Sequence, residues 1–311
     1  MDKQLLNMLC LTGGGFRGLY TIEVIRQLEI FFDGKSIKDQ CDCIVGTSIG
    51  GILSLGLALG KSSTELSNAF KNHKLDIFEP KRFYHSWLYS CKYKNAGLKK
   101  TIKVILGSDS ELTMKELKDK SGVDVMIPTV EMSTGKTLLI NTVENKYQNW
   151  KLIDVALATS AAPTFFPAHS RADERYLDGG ISCNMPDLLA AQIYSVLRAR
   201  EIDDLQILSI GTGSLPEDRD RTNSIKSNAG GLSWAKNLDY FINLQDPLVQ
   251  AQCKAIFAKH RYARINAKLD FECKLDNVSD KVEEQLIKKA ELSTSKDEIL
   301  RQNAINQFFA H

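Results

Sequence analysis

Three short motifs carry residue types that chemistry needs. Gly46-Thr47-Ser48-Ile49-Gly50 reads GxSxG. A serine hydroxyl is a weak nucleophile at neutral pH; it needs a base and a place for the developing oxyanion. In a GxSxG the serine stands on a tight strand-to-helix turn, and the glycines let neighbouring backbone come close. Gly13-Gly14-Gly15-Phe16-Arg17-Gly18 is the second motif. Three glycines between a strand and a helix leave backbone N–H groups facing an anion, reinforced by the helix N-terminus. The third is Asp178-Gly179-Gly180, a carboxylate at a strand end where two glycines permit close approach. A carboxylate is a poor base for serine in water, and desolvation raises its basicity.

Each motif has a plainer alternative. Ser48 could simply cap a glycine-rich helix. The glycine run could be a nucleotide phosphate loop, since GxGxxG can be forced from Gly13, Gly15 and Gly18. Against that, no GxxxxGK[ST] occurs, and no second-strand acid offers a convincing ribose partner. Arg17 could be an ordinary first-turn arginine, although a cation at a helix N-terminus is electrostatically unfavourable. Five histidines stand at 73, 85, 169, 260 and 311. None sits in an evident strand-end motif, and His169, after Phe165-Phe166-Pro167, is the one competitor of Asp178 for the role of base.

The elements must position these residues. Residues 43–60 carry no charge, so length alone admits a membrane span of about 18–20 residues. Thr47, Ser48, Ser54 and five glycines make the run poorly hydrophobic, and no adjacent basic cluster sets a topology. A short strand at Cys43–Val45 followed by a helix over 49–59 is the preferred reading. Leu5–Thr12 reads as a buried first strand, and apolar spacing predicts a helix over 17–32. Val123–Met132 and Lys136–Asn141 read as an adjacent strand pair, Leu152–Thr159 as a helix and Arg175–Leu177 as a strand leading into Asp178. Pro186–Arg198 reads as a helix, Leu205–Ile210 as a buried strand and 217–231 as a loop. The tail is mostly helical, over 232–244, 247–260, 281–293 and 296–309. Strands alternating with helices predict a three-layer α/β/α fold around a mainly parallel sheet. Residues 61–120 break the rhythm and are expected to form an insertion over that sheet. One domain is expected to span 1–311, with 61–120 as lid or insertion and 232–311 as a helical C-terminal part.

The 311 residues are 43% hydrophobic and 25% charged, the composition of a globular protein. The net charge of +2 gives no global case for a DNA or RNA polymer. The charge is uneven: residues 71–105 hold nine Lys/Arg against Asp76 and Glu79, a local +7. Phe83, Tyr84, Trp87, Leu88, Tyr89 and Tyr93 interleave with them. Such a segment suits a lipid interface, an anionic small-molecule site or a bland solvated surface, and the sequence leaves the three open. Seven cysteines without a CxxC pair, and an N-terminus without a signal-peptide core, lead us to expect reduced thiols in a cytoplasmic protein.

TGGGFRG, GTSIG, ATSAAPTFFPA (158–168) and DGG follow one another in the order found in patatin-like phospholipases, and the four together resemble that family closely. LSIGTG (208–213), GGLSWA (230–235) and KLDNVSDKVEEQLIKKAE (274–291) extend the resemblance over most of 6–295. It implies a lipid acyl hydrolase with a Ser48–Asp178 dyad and no histidine, metal or cofactor in the machinery. It places the oxyanion hole at Gly13, Gly14, Gly15 and Phe16, with Arg17 bracing that loop or contacting phosphate. Many members carry Asp before the triple glycine; Thr12 stands here, so the bracing of the loop is expected to differ. A narrower likeness, to bacterial antiphage effectors, implies activation by a cyclic dinucleotide, action at the inner membrane surface and a homo-oligomer. A constitutive lipase and a non-enzymatic lipid-binding protein are the alternatives.

Overall fold

The structure is a computed structural model that describes residues 5–79, 91–214, 238–271 and 273–310. Its strands, in chain order, are β1 (Leu6–Leu11), β2 (Cys43–Gly46), β3 (Asp124–Glu131), β4 (Thr137–Asn141), β5 (His169–Arg171), β6 (Glu174–Asp178), β7 (Leu205–Ile210) and β8 (Tyr262–Ile265). They form one sheet in the order β5-β6-β3-β2-β1-β7-β8, with β4 also paired to β3. The β3-β2-β1-β7-β8 pairings are parallel, and the β3-β4, β3-β6 and β5-β6 pairings are antiparallel.

The central strands are apolar on both faces, as strands covered by helices on both sides must be. Leu9 and Leu11 of β1 enter one core, and Met8 and Cys10 enter the other. The first core packs under α1 (Gly18–Phe31), α2 (Ile49–Ala58), α3 (Ser63–Ile77) and α4 (Asn95–Leu106), and it also takes residues of α5 (Met114–Ser121) and α6 (Leu152–Thr159). After the one-turn α7 (Gly180–Cys183), α8 (Asp187–Leu197) covers the second core with α9 (Leu238–Asn243) and α10 (Gln245–Ile256) alongside. The chain closes with α11 (Asp280–Ser293), α12 (Lys296–Arg301) and α13 (Asn303–Phe308). The three-layer expectation therefore holds.

The uncharged run is a strand and a buried helix, not a span. Every residue of α2 is buried, and the hydroxyl of Ser54 is satisfied by Gly50 O at 2.7 Å. Among the described residues no helix is long and apolar enough to cross a membrane. Two further expectations need correction. Among the described residues, 61–120 carry three helices, and α3 and α4 belong to the main helical layer, with Phe70, Leu98, Ile102 and Ile105 in its core. The tail holds a strand, β8, and 296–309 is two helices broken at Gln302, whose ψ is 86°. Residues 80–90, 215–237 and the loop expected over 217–231 lie outside the described residues.

Candidate active site

Sheet register brings the serine and the carboxylate together. β3 pairs with β2 through Met126 and with β6 through Thr129, while β4 pairs with both residues. A strand has two edges, so β2 and β6 share the edge opposite β4, end to end. The parallel β2 stops at Gly46 and turns into Ser48, and the antiparallel β6 arrives at that end with Asp178. Ser48 Oγ donates to Asp178 Oδ2 at 2.7 Å.

The turn at Ser48 is strained: φ is 54° and ψ −121°, outside the regions an L-residue prefers. Its neighbours hold it there. The Ser48 N–H donates to Thr159 Oγ1 at 2.9 Å, and Thr159 donates on to Pro128 O at 2.7 Å. Thr47 anchors the other side through Cys183 O at 2.8 Å. A methyl on Gly46 would lie 2.1 Å from Gly50 O, so only glycine lets the first turn of α2 fold back against β2.

Asp178 is buried, and its second oxygen accepts from the Gly180 N–H at 2.7 Å. Desolvation pushes its pKa up to about 7, against smaller opposing effects of the bonds from Gly180 and Ser48. A carboxylate so placed is half ionised near neutrality and basic enough to take a hydroxyl proton. His169 pairs with Asp154 at 3.2 Å and does not line the cavity at Ser48.

The glycine loop divides into occupied and open donors. Gly13 N–H donates to Asn184 O, Phe16 N–H to Leu275 O and Arg17 N–H to Gly14 O, at 2.7–3.1 Å. Gly13 and Phe16, two of the expected oxyanion donors, and Arg17 beside them are thus already committed. Gly14 and Gly15 have N–H groups that meet no acceptor among the described residues, and both line the cavity with Ser48. Arg17 is fully buried. It reaches Gly14 O from Nε, Gly213 O from Nη1 and Asn243 Oδ1 from Nη2, the last at 2.9 Å. It braces the loop. Arg17→Met should lower stability by about 2–4 kcal/mol in urea unfolding, because it strands buried acceptors. An unchanged midpoint would mean the brace carries no load. Where other members carry Asp, Thr12 Oγ1 accepts from Arg264 Nη1 at 3.2 Å, and Arg264 Nη2 lies 3.7 Å from Asp246.

The cavity running from Ser48 is walled by Ile52, Phe70, Ile77, Leu98, Ile102 and Phe166, with Asn184 and Ile242 beside the catalytic end. An apolar chain fits such a lining, and few polar groups interrupt it. Thus α3 and α4 form the cavity wall. The lysines of that segment are largely paired: Lys71 with Glu23, Lys74 with Asp280 and Glu283, Lys92 with Asp276, Lys100 with Asp76 and Lys103 with Glu111. Tyr93 is buried against Phe78, Phe165 and Phe166. Lys81, Arg82, Phe83, Tyr84, Trp87, Leu88 and Tyr89 lie outside the described residues. Thr159, Asn184 and Arg264 escape a reading of the sequence. Only Thr159 had a signal, its place in the ATSAAP motif.

Comparisons with known proteins place the chain in a family. The chain is 40% identical to a cGAMP-activated phospholipase of Escherichia coli (strain TW11681), over 68% of this chain and 63% of that one. It is 36% identical to a protein of the same name from Vibrio cholerae, over 68% and 65% of the two chains. The matched part thus spans under two thirds of those relatives' length. Among solved structures, VipD from Legionella pneumophila shares the fold at a TM-score of 0.54 and 13% identity, covering 98% of this chain and 67% of that one. A family model described as patatin-like phospholipase matches residues 9–191, which include the glycine loop, Ser48 and Asp178. The chain belongs to the patatin-like phospholipase family.

Proposed function

We propose that the protein hydrolyses acyl esters of membrane phospholipids with a Ser48–Asp178 dyad. The observation that carries this reading is the 2.7 Å hydrogen bond from a strained, half-buried serine to a desolvated carboxylate at the end of an apolar cavity. The acyl chain occupies the cavity, and the ester carbonyl lies over Ser48. Ser48 Oγ attacks the carbonyl carbon as its proton passes to Asp178, and the N–H groups of Gly14 and Gly15 hold the oxyanion. Collapse of the tetrahedral intermediate breaks the ester C–O bond, and Asp178 returns the proton to the departing lysolipid. Water then gives a proton to Asp178 and attacks the acyl-serine. Collapse releases the fatty acid, and Ser48 regains its proton. No step needs a metal.

The rate should follow the carboxylate. kcat/KM is expected to rise with pH through about 7, where Asp178 ionises, and to fall about tenfold per unit well below it. A flat profile from pH 5 to 8 would remove Asp178 as base.

The names of the relatives favour gating by a cyclic dinucleotide, and the antiphage role and peripheral action at the inner membrane rest on that gating. Fatty-acid release from phosphatidylethanolamine/phosphatidylglycerol vesicles, with and without cGAMP and related cyclic nucleotides, tests both parts. Release that needs cGAMP and is lost in Ser48→Ala supports the gated enzyme. Equal release without nucleotide leaves a constitutive lipase. Silence under all conditions, on vesicles and soluble esters alike, overturns the hydrolase and favours a lipid-binding protein.

A further inference from the structure

Over 240–248 the stretch formed by α9 and α10 is inverted. Three polar side chains there face the catalytic loops. Asn243 accepts from Arg17, Gln245 Nε2 donates to Gly180 O at 2.9 Å and to Ile181 O at 3.1 Å, and Asp246 accepts from Asn184 Nδ2 at 3.0 Å. Three apolar side chains face outward: Tyr240, Leu244 and Leu248, at intervals of four residues, are 36%, 52% and 62% exposed. That spacing puts them on one stripe. Ile181, itself 37% exposed, belongs to the turn that Gln245 clamps. Amphipathic helices of a folded protein normally turn the other way, and a contiguous outward apolar stripe marks a surface that something covers.

We infer that this stripe is where the protein docks on a lipid bilayer. The inference rests on the lipid-ester reading above and names the surface that serves it. Three observations select lipid as the occupant. The stripe is continuous with the cavity: Ile242, between Tyr240 and Leu244, is buried and lines the same space as Ser48 and Asp178. A lipid leaving a membrane under this face meets apolar surface all the way in. Next, the face is almost uncharged. From 240 to 256 the only charged residues are Asp246, turned inward, and Lys254. Such a face inserts below the headgroups, unlike a basic patch adsorbed on them. Finally, the clamps on Arg17, Gly180 and Asn184 join the docked helix to the glycine loop and to the turn after Asp178. Contact with the bilayer thereby steadies the groups that hold the oxyanion. The basic segment 71–105, the other candidate for a lipid face, spends most of its described lysines on internal ion pairs.

The test uses full-length Ser48→Ala protein, so that binding is read without turnover. Co-sedimentation with phosphatidylethanolamine/phosphatidylglycerol vesicles is measured in the presence of cGAMP. The double substitution Leu244→Asp/Leu248→Asp should weaken binding by about tenfold or more, each site losing an apolar side chain's insertion. Val196→Asp, at an apolar residue 79% exposed on α8, should leave it unchanged. With Ser48 restored, the double variant should hydrolyse a soluble short-chain ester within about twofold of the parent, because neither leucine touches the cavity. Unchanged vesicle binding in a folded double variant overturns the proposal. So does a parent that light scattering shows to be an oligomer dissociated by the double substitution, because the stripe would then be covered by a second copy. If vesicle binding falls as expected but the parent hydrolyses neither vesicles nor the soluble ester, the docking surface stands and the hydrolase reading fails.

Discussion

Asp178→Asn should yield a protein that unfolds at a higher temperature than its parent at pH 8 and turns over almost no substrate. The two effects share one cause. The carboxylate is desolvated, and its pKa rises from an ordinary 3.8 to about 7 on folding. A raised pKa means that the folded chain prefers the protonated form. The parent keeps its full stability below about pH 3.8, loses part of it as pH climbs from there to about 7, and levels off above that. Asparagine keeps the shape, accepts from the Gly180 N–H and donates to Ser48, yet carries no charge to bury. The gap in Tm should be near zero at pH 4 and several degrees at pH 8. Activity moves the other way, because the amide cannot take the Ser48 proton. The expected loss is on the order of 10³-fold or more. Ser48→Ala should lose at least as much, and the double variant no more than the worse single one, since the two groups act as a unit. Thermal unfolding at both pH values, beside fatty-acid release, checks each part. Turnover near that of the parent would remove the dyad. An equal Tm at pH 8 would mean the carboxylate carries no desolvation cost.

What could be read from the residues follows from how local their cause is. The GTSIG elbow was legible because its glycines answer contacts between adjacent elements: Gly46 meets Gly50, and Gly50 meets Leu11. Strands β1, β3, β4 and β7 and helix α6 were legible from apolar runs bounded by glycine or polar turns. β8 was missed because Arg264 interrupts its apolar pattern; that side chain is buried by Ser209, Thr12 and Asp246, partners 18 to 252 residues away. Helix α4 was hidden among lysines, although Leu98, Ile102 and Ile105 keep helical spacing and are buried. The sequence placed five residues at the oxyanion loop but could not divide them. Whether a backbone N–H is open depends on which carbonyl reaches it, and Asn184 O and Leu275 O arrive from far along the chain. The outward stripe on α9 and α10 was illegible for the same reason: periodicity locates an apolar face without saying which way it points.

That division of the glycine loop makes Gly15→Ala the most informative single substitution after the dyad. Gly15 has φ +57°, and a methyl there would lie 2.3 Å from Leu275 O, a backbone atom that also accepts from the Phe16 N–H. Neither side can yield cheaply. Moving the loop at 275 breaks the Phe16 bond, and moving Gly15 swings its own N–H, and with it that of Gly14, away from the carbonyl over Ser48. Loss of an oxyanion donor lowers kcat by about 10²–10³-fold. The left-handed backbone adds about 1–2 kcal/mol of strain for any residue with a Cβ. Gly34→Ala separates the two effects. Gly34 has φ +79° with nothing within 4 Å, so it carries the backbone strain without the collision. Both variants should lose stability in urea, and only Gly15→Ala should lose kcat. If a fluorophosphonate still labels Ser48 slowly in the folded Gly15→Ala protein, the nucleophile has survived and the missing element is the donor pair. If Gly15→Ala keeps the kcat of Gly34→Ala, the oxyanion is held elsewhere and the assignment of Gly14 and Gly15 fails.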